Sequence, residues 1–171
     1  MARPAHVRGV SAATRPAAHR RALLGSPHRM HAAVAMAFPE LPTRDGSGPR
    51  VLWRVDRNSA AEVVLFVVSP TRPDLTHLVE QAGWPAASDT PGWQTYDYGA
   101  FLDRLSVGST WTFRLTANPV NSIRRTVSLT SVTYDGRLTV TDPEALRRTL
   151  TQGLGKAKAY GCGLMTLAPV G

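Results

Sequence analysis

Residues 50–56 (RVLWRVD) and 62–69 (EVVLFVVS) decide the fold reading. Both are strand-length runs rich in β-branched and aliphatic residues, a composition that suits a pleated, buried surface. The polar Arg57-Asn58-Ser59 between them predicts a hairpin. Upstream, Ser26-Pro27 is a helix start, a serine cap followed by proline at the first helical position. That helix should run to about residue 37, with Met30, Val34 and Ala37 on one face and His28 and His31 on a neighbouring one.

Downstream, residues 73–82 read as a short helix capped by Thr71 or its neighbour, and residues 84–93 as a loop. A helix over residues 98–105 and a strand over residues 109–118 (STWTFRLTAN) follow, the strand stopping at Pro119. Trp111 and Phe113 are expected in the core. Residues 127–134 and 137–141 predict a second hairpin around Asp135-Gly136, a strong turn pair. Asp142-Pro143 starts a helix to about residue 152. A glycine-rich loop, residues 153–163 (GLGKAKAYGCG), leads to a final strand over residues 163–168. The order is helix, strand, strand, helix, strand, then strand, strand, helix, strand. Ferredoxin-type folds run β-α-β-β-α-β. The expectation is an α+β chain of tandem ferredoxin-like (RRM-like) lobes over residues 23–125 and 126–171. The first lobe lacks its opening strand, the second its first strand and helix.

The 171 residues carry 20 Lys and Arg against 12 Asp and Glu, a formal net charge of +8. Such an excess suits a polyanion, nucleic acid before an anionic membrane. It is concentrated early: Arg3, Arg8, Arg15, Arg20, Arg21 and Arg29 all precede Glu40, the first acid. Residues 1–22 show little helical periodicity and read as an unstructured extension, a basic arm or a transit peptide. The longest apolar run, residues 63–68, is strand-sized, which argues against a membrane-embedded role. Cys162 is the only cysteine, so neither an internal disulfide nor a cysteine zinc site can form, and a cytoplasmic setting fits.

Three ordered blocks, SPHRMHAAVAMAFP (26–39), WTFRLTANPVNSIRR (111–125) and GLGKAKAYGCGLMTLAP (153–169), resemble the CasE-type CRISPR repeat endoribonucleases. LWRVD (52–56) and YDYGAFLDRL fit the same pattern. The resemblance implies tandem ferredoxin-like domains, a CRISPR repeat stem-loop as substrate, and Cascade subunits as partners. It also implies cleavage without metal or cofactor, by attack of a ribose 2′-oxygen on the adjacent phosphate.

That reaction needs a base at the 2′-hydroxyl, an acid at the leaving oxygen and stabilisation of the phosphorane. Histidine suits the proton transfers, with a reference pKa of about 6.5. The resemblance places the catalytic histidine at His31, as base or acid. His28 stands where some relatives carry a tyrosine that assists catalysis. An H-x-x-H pair can also bind metal, but no third ligand is apparent, and a metal site is not expected. Lys156, Lys158, Gly155, Gly161 and Gly163 are RNA-binding candidates, with Lys158 also a catalytic one. Glycines let backbone N–H groups approach phosphate, and lysines add charge. Arg29, Arg114, Arg124 and Arg125 complete the RNA-binding set.

Two pieces of the family pattern are missing. Relatives have an aromatic and aliphatic strand immediately before the first helix, where this chain has Ala, Thr, Arg and Pro. They also have several dozen residues where Arg125 here meets Thr126. The competing expectation is therefore an inactive RNA-binding module or a degraded remnant.

Overall fold

The computed structural model describes residues 17–38, 50–58, 63–82, 92–119 and 130–170. Its elements are α1 (Ala17–Leu24), α2 (Pro27–Ala35), β1 (Leu52–Arg57), β2 (Val63–Val68), α3 (Thr76–Ala82), α4 (Tyr98–Leu102), β3 (Thr110–Ala117), β4 (Val132–Thr139), α5 (Pro143–Gln152) and β5 (Met165–Pro169). A short 3-10 turn, Lys158–Tyr160, precedes β5. The chain is α+β with two small antiparallel sheets, β1-β2 and β4-β3-β5.

The β1–β2 pair forms as expected, with Leu52 opposite Val68 and Arg57 opposite Val63. Residues 59–62 at its tip lie outside the described residues. Both faces are buried, which explains the unbroken apolar run VVLFVV. One face sends Trp53, Val63, Leu65 and Val67 into a cluster with Met30, Val34, Leu78 and Val79 from α2 and α3. The other sends Leu52 and Val68 into a second cluster with Tyr98, Trp111, Leu115, Leu150 and Leu164. Trp111 and Phe113 belong to that second core, as expected.

Helix α2 starts where Ser26-Pro27 places it, the Ser26 hydroxyl accepting from the Arg29 N–H. Met30, Val34 and Ala37 are all buried. Helix α5 is capped by Asp142, which accepts from the Ala145 N–H at 3.0 Å. Helix α3 begins at Thr76, and the cap is Asp74, not Thr71: its carboxylate accepts from the Thr76 N–H at 3.0 Å. Those bonds hold the Asp74 carboxyl below its ordinary pKa.

Three expectations are corrected. The extension over residues 1–22 is helical from Ala17. Helix α1 packs on α2 and α3 through the buried Leu23, and Arg57 donates to the Leu24 carbonyl at 2.8 Å. No hairpin turns at Asp135-Gly136, because β4 runs straight through both residues. Gly136 faces Phe113 on β3, and a Cβ there would sit 2.8 Å from the Phe113 ring. The glycine admits an aromatic neighbour and does not turn the chain. Finally, β3 does not side with the first lobe. It is the middle strand between β4 and β5, so a division at residues 125 and 126 would cut one sheet. The apolar residues of β3, Trp111 and Leu115 among them, face the second core.

Candidate nucleic-acid interface

The glycine-rich loop folds back on β1 and α2. Its path depends on left-handed backbone at Gly153, Gly155, Ala157, Gly161 and Gly163. Three of these positions also need the absence of a side chain: a Cβ on Gly153 would lie 2.7 Å from Leu52. A Cβ on Gly161 would lie 2.7 Å from the Trp53 ring, and one on Gly163 would lie 2.6 Å from the Leu154 carbonyl. The loop is pinned at its end, Gly163 donating to Thr116 O at 2.7 Å and accepting from Leu154 N at 2.9 Å.

This seating brings the 3-10 turn against α2. The Tyr160 ring meets His28 edge-on, with centroids 4.9 Å apart, and lies 6.2 Å from His31. His28 is exposed and His31 half-buried. Lys158 opens the same turn. Burial, with the Arg50 charge nearby, pushes its ammonium below the ordinary lysine pKa. Two imidazoles and a phenol thus gather around one α2–loop contact, on the turn that Lys158 opens. Tyr160 escaped the sequence reading, since nothing in its own neighbourhood announces a partner so far along the chain.

The other candidates divide. Lys156 and Gly155 are exposed on the loop. Gly161 and Gly163 are buried, and the Gly163 N–H is committed to Thr116, so Gly163 is a packing residue and not a phosphate donor. Arg29 lines a groove with Ala22, Ala32, Met36 and Gln81, and does not join the histidines. Arg114 forms a two-pronged ion pair with Asp135 at 2.7 and 3.1 Å, and reaches Asp56 at 3.5 Å. Arg124 and Arg125 lie outside the described residues. Among the described residues no three His, Cys, Asp or Glu side chains converge on a metal-sized site. Nor is any helix long and apolar enough to cross a membrane.

Beneath the loop sits a residue that sequence reading did not single out. Arg54 is 2% exposed, and all five of its N–H donors have an acceptor. Two go to the Asp56 carboxylate at 2.6 and 2.9 Å. The others reach Arg114 O at 2.9 Å, Leu164 O at 3.1 Å and Thr166 Oγ1 at 2.9 Å. The guanidinium also lies over the Phe66 ring, 5.2 Å from its centroid. One cation therefore ties β1 to β3, to β5 and to the end of the loop.

A family profile described as "CRISPR associated protein" matches residues 10–128 and 121–169. The chain belongs to this CRISPR-associated family. Within the family it is similar to the Cascade subunit CasE of Escherichia coli K12, 48% identical over 40 residues, 23% of this chain and 20% of that protein. It is also similar to the CRISPR-associated endoribonuclease Cse3 of Thermus thermophilus, 49% identical over 39 residues, 23% of this chain and 18% of that protein. These matches thus span about a fifth of each curated relative. A solved structure of Thermus thermophilus Cse3, bound to an RNA representing a pre-cleavage complex, superposes over 98% of this chain and 100% of that one. Its TM-score is 0.73 at 22% identity. A CRISPR-associated protein placed with CasE and Cse3 is what the ordered blocks implied, and the structural match shows the shared fold.

Proposed function

We propose that the chain is an endoribonuclease of CRISPR precursor RNA, cutting the repeat stem-loop by 2′-hydroxyl attack to give mature guide RNA. It would stay bound to its product as a Cascade subunit in the cytoplasm. The observation that carries the proposal is the meeting of His28 and His31 with Tyr160, on the turn that Lys158 opens. His31 moves a proton as base or acid, and the ammonium of Lys158 stabilises charge on the phosphorane. Tyr160 packs against His28 and limits its ring orientations, and its hydroxyl is a further donor. Lys156 and the exposed backbone at Gly155 lie on the same loop and suit phosphate contacts. No step needs a metal or another cofactor.

The two sheets fit this reading as parts of tandem ferredoxin-like units. The order α2-β1-β2-α3 supports the first, and β4-α5-β5 supports the second, which takes β3 as its middle strand.

The test is cleavage of a repeat hairpin RNA by the purified protein in EDTA, with a cyclic phosphate on the upstream product. His31→Ala should lower the rate by roughly 10²- to 10⁴-fold and leave the melting temperature unchanged. Cleavage that EDTA abolishes, or that survives His31→Ala, rejects the mechanism. Salt-sensitive RNA binding with no product would make the chain a binding module instead.

A further inference from the structure

Strand β4 reads Val132-Thr-Tyr-Asp-Gly-Arg-Leu-Thr139. About Gly136 the chemistry is symmetric. Threonines stand at 133 and 139, large apolar groups at 134 and 138, and opposite charges at 135 and 137. An antiparallel copy of this strand, centred on Gly136, would set Thr133 opposite Thr139, Tyr134 opposite Leu138 and Asp135 opposite Arg137. Every one of these pairs is favourable across strands. The charge pair is made twice, once on each side of the axis, as an isologous interface requires.

The strand is placed to use this symmetry. In the sheet order β4-β3-β5 it is an edge, and β3 is its one strand neighbour among the described residues. Its side chains are open: Val132 is 36% exposed, Tyr134 45% and the Asp135 side chain 58%. The other edge, β5, ends in Pro169, which donates no backbone hydrogen bond, while β4 has no proline. An open eight-residue strand is long enough for stable pairing and is usually blunted when a chain stays single. Within the chain, Asp135 already holds Arg114 on the same face. A carboxylate has room for a second guanidinium, so the pairing would extend that ion pair into an alternating row of charges.

We propose that β4 is a homodimer interface, pairing with β4 of a second copy about a two-fold axis through Gly136 and joining the two three-stranded sheets edge to edge. The inference does not depend on RNA cleavage. Sedimentation across a wide range of protein concentration should show a monomer–dimer equilibrium. Arg137→Asp sets like charges opposite each other and should weaken association at least about tenfold, which corresponds to about 1.4 kcal/mol. Asp135→Arg should do the same. Mixed together, the two variants have complementary edges and should form a heterodimer that neither forms alone, with each variant's thermal melt showing that it is folded. A single-chain mass at every concentration overturns the proposal. So does a dimer that Arg137→Asp leaves intact, or a folded mixture that does not associate.

Discussion

The β1–β2 hairpin is buried on both sides by opposite chemistries. Toward α2 and α3 it presents Trp53, Leu65 and Val67 to an apolar cluster. Toward β3 and β5 it presents Arg54 and Asp56, 2% and 8% exposed, alongside Leu52 and Val68. The apolar side is non-directional, so it can hold helices without fixing their detailed placement. The polar side is directional. Each of the five bonds from Arg54 ends on a defined atom, two of them the carbonyls of Arg114 and Leu164. The difference points to a division of labour, in which one face supplies burial and the other sets where the loop carrying Lys158 and Tyr160 ends.

The largest expected effect comes from breaking the polar side. Arg54→Met keeps much of the volume but leaves Asp56 buried without its main cation, and takes a donor away from two carbonyls. Loss of one member of a buried pair costs about 3–5 kcal/mol, read from urea denaturation. Arg54→Met with Asp56→Leu removes both charges and should regain a substantial part of that loss. If Arg54→Met costs under about 1 kcal/mol, the pair behaves as a surface ion pair and the division of labour fails.

The loop offers a sharper comparison between two glycines with similar backbone. Gly161 and Gly155 both have positive φ, 80° and 74°. A Cβ at Gly155 would meet nothing within 4 Å, whereas at Gly161 it would strike the Trp53 ring. Gly155→Ala should therefore cost about 1–2 kcal/mol, the left-handed backbone penalty alone. Gly161→Ala should add about 1–3 kcal/mol of overpacking, and should impair RNA cleavage by moving Tyr160 away from His28. Equal costs for the two would mean that the loop is not seated on Trp53 as the geometry indicates.

These residues also show where sequence reading works and where it stops. Helices α2 and α5 were legible because Ser26-Pro27 and Asp142-Pro143 act within one turn of themselves. The β1–β2 hairpin was legible because its apolar run and polar tip are contiguous. Asp135-Gly136 misled because the turn rule is local, while that glycine answers to Phe113 on another strand. The role of β3 was hidden for a similar reason, since alternation reveals a strand but not its neighbours. Arg54 looked like one residue of an ordinary strand, because its partners beyond Asp56 lie 60 to 112 residues away. The site was half visible: the resemblance pointed to His31 and the loop. Tyr160, the displacement of Arg29 to another groove and the pairing of Arg114 needed the three-dimensional contact.

The smallest expected effect tests whether the polar side extends outward from Arg54 to the sheet edge. Asp135 sits at the exposed end of the chain of charges Arg54, Asp56, Arg114 and Asp135. Its hydrogen bonds to Arg114, and the guanidinium charge itself, hold the carboxyl below its ordinary pKa. A carboxyl depressed in the folded state stabilises the fold above its unfolded pKa of about 3.9. That contribution is lost as pH falls through the lower folded value. The pair is largely solvent-exposed, so its worth at neutral pH is about 0–1 kcal/mol, further reduced by salt. Asp135→Asn should therefore lower stability slightly at neutral pH and converge with the parent chain on the acid side. The comparison should be made at protein concentrations low enough to keep the chain monomeric. Convergence on the alkaline side instead would show that Arg114 does not hold Asp135 in its ionised form.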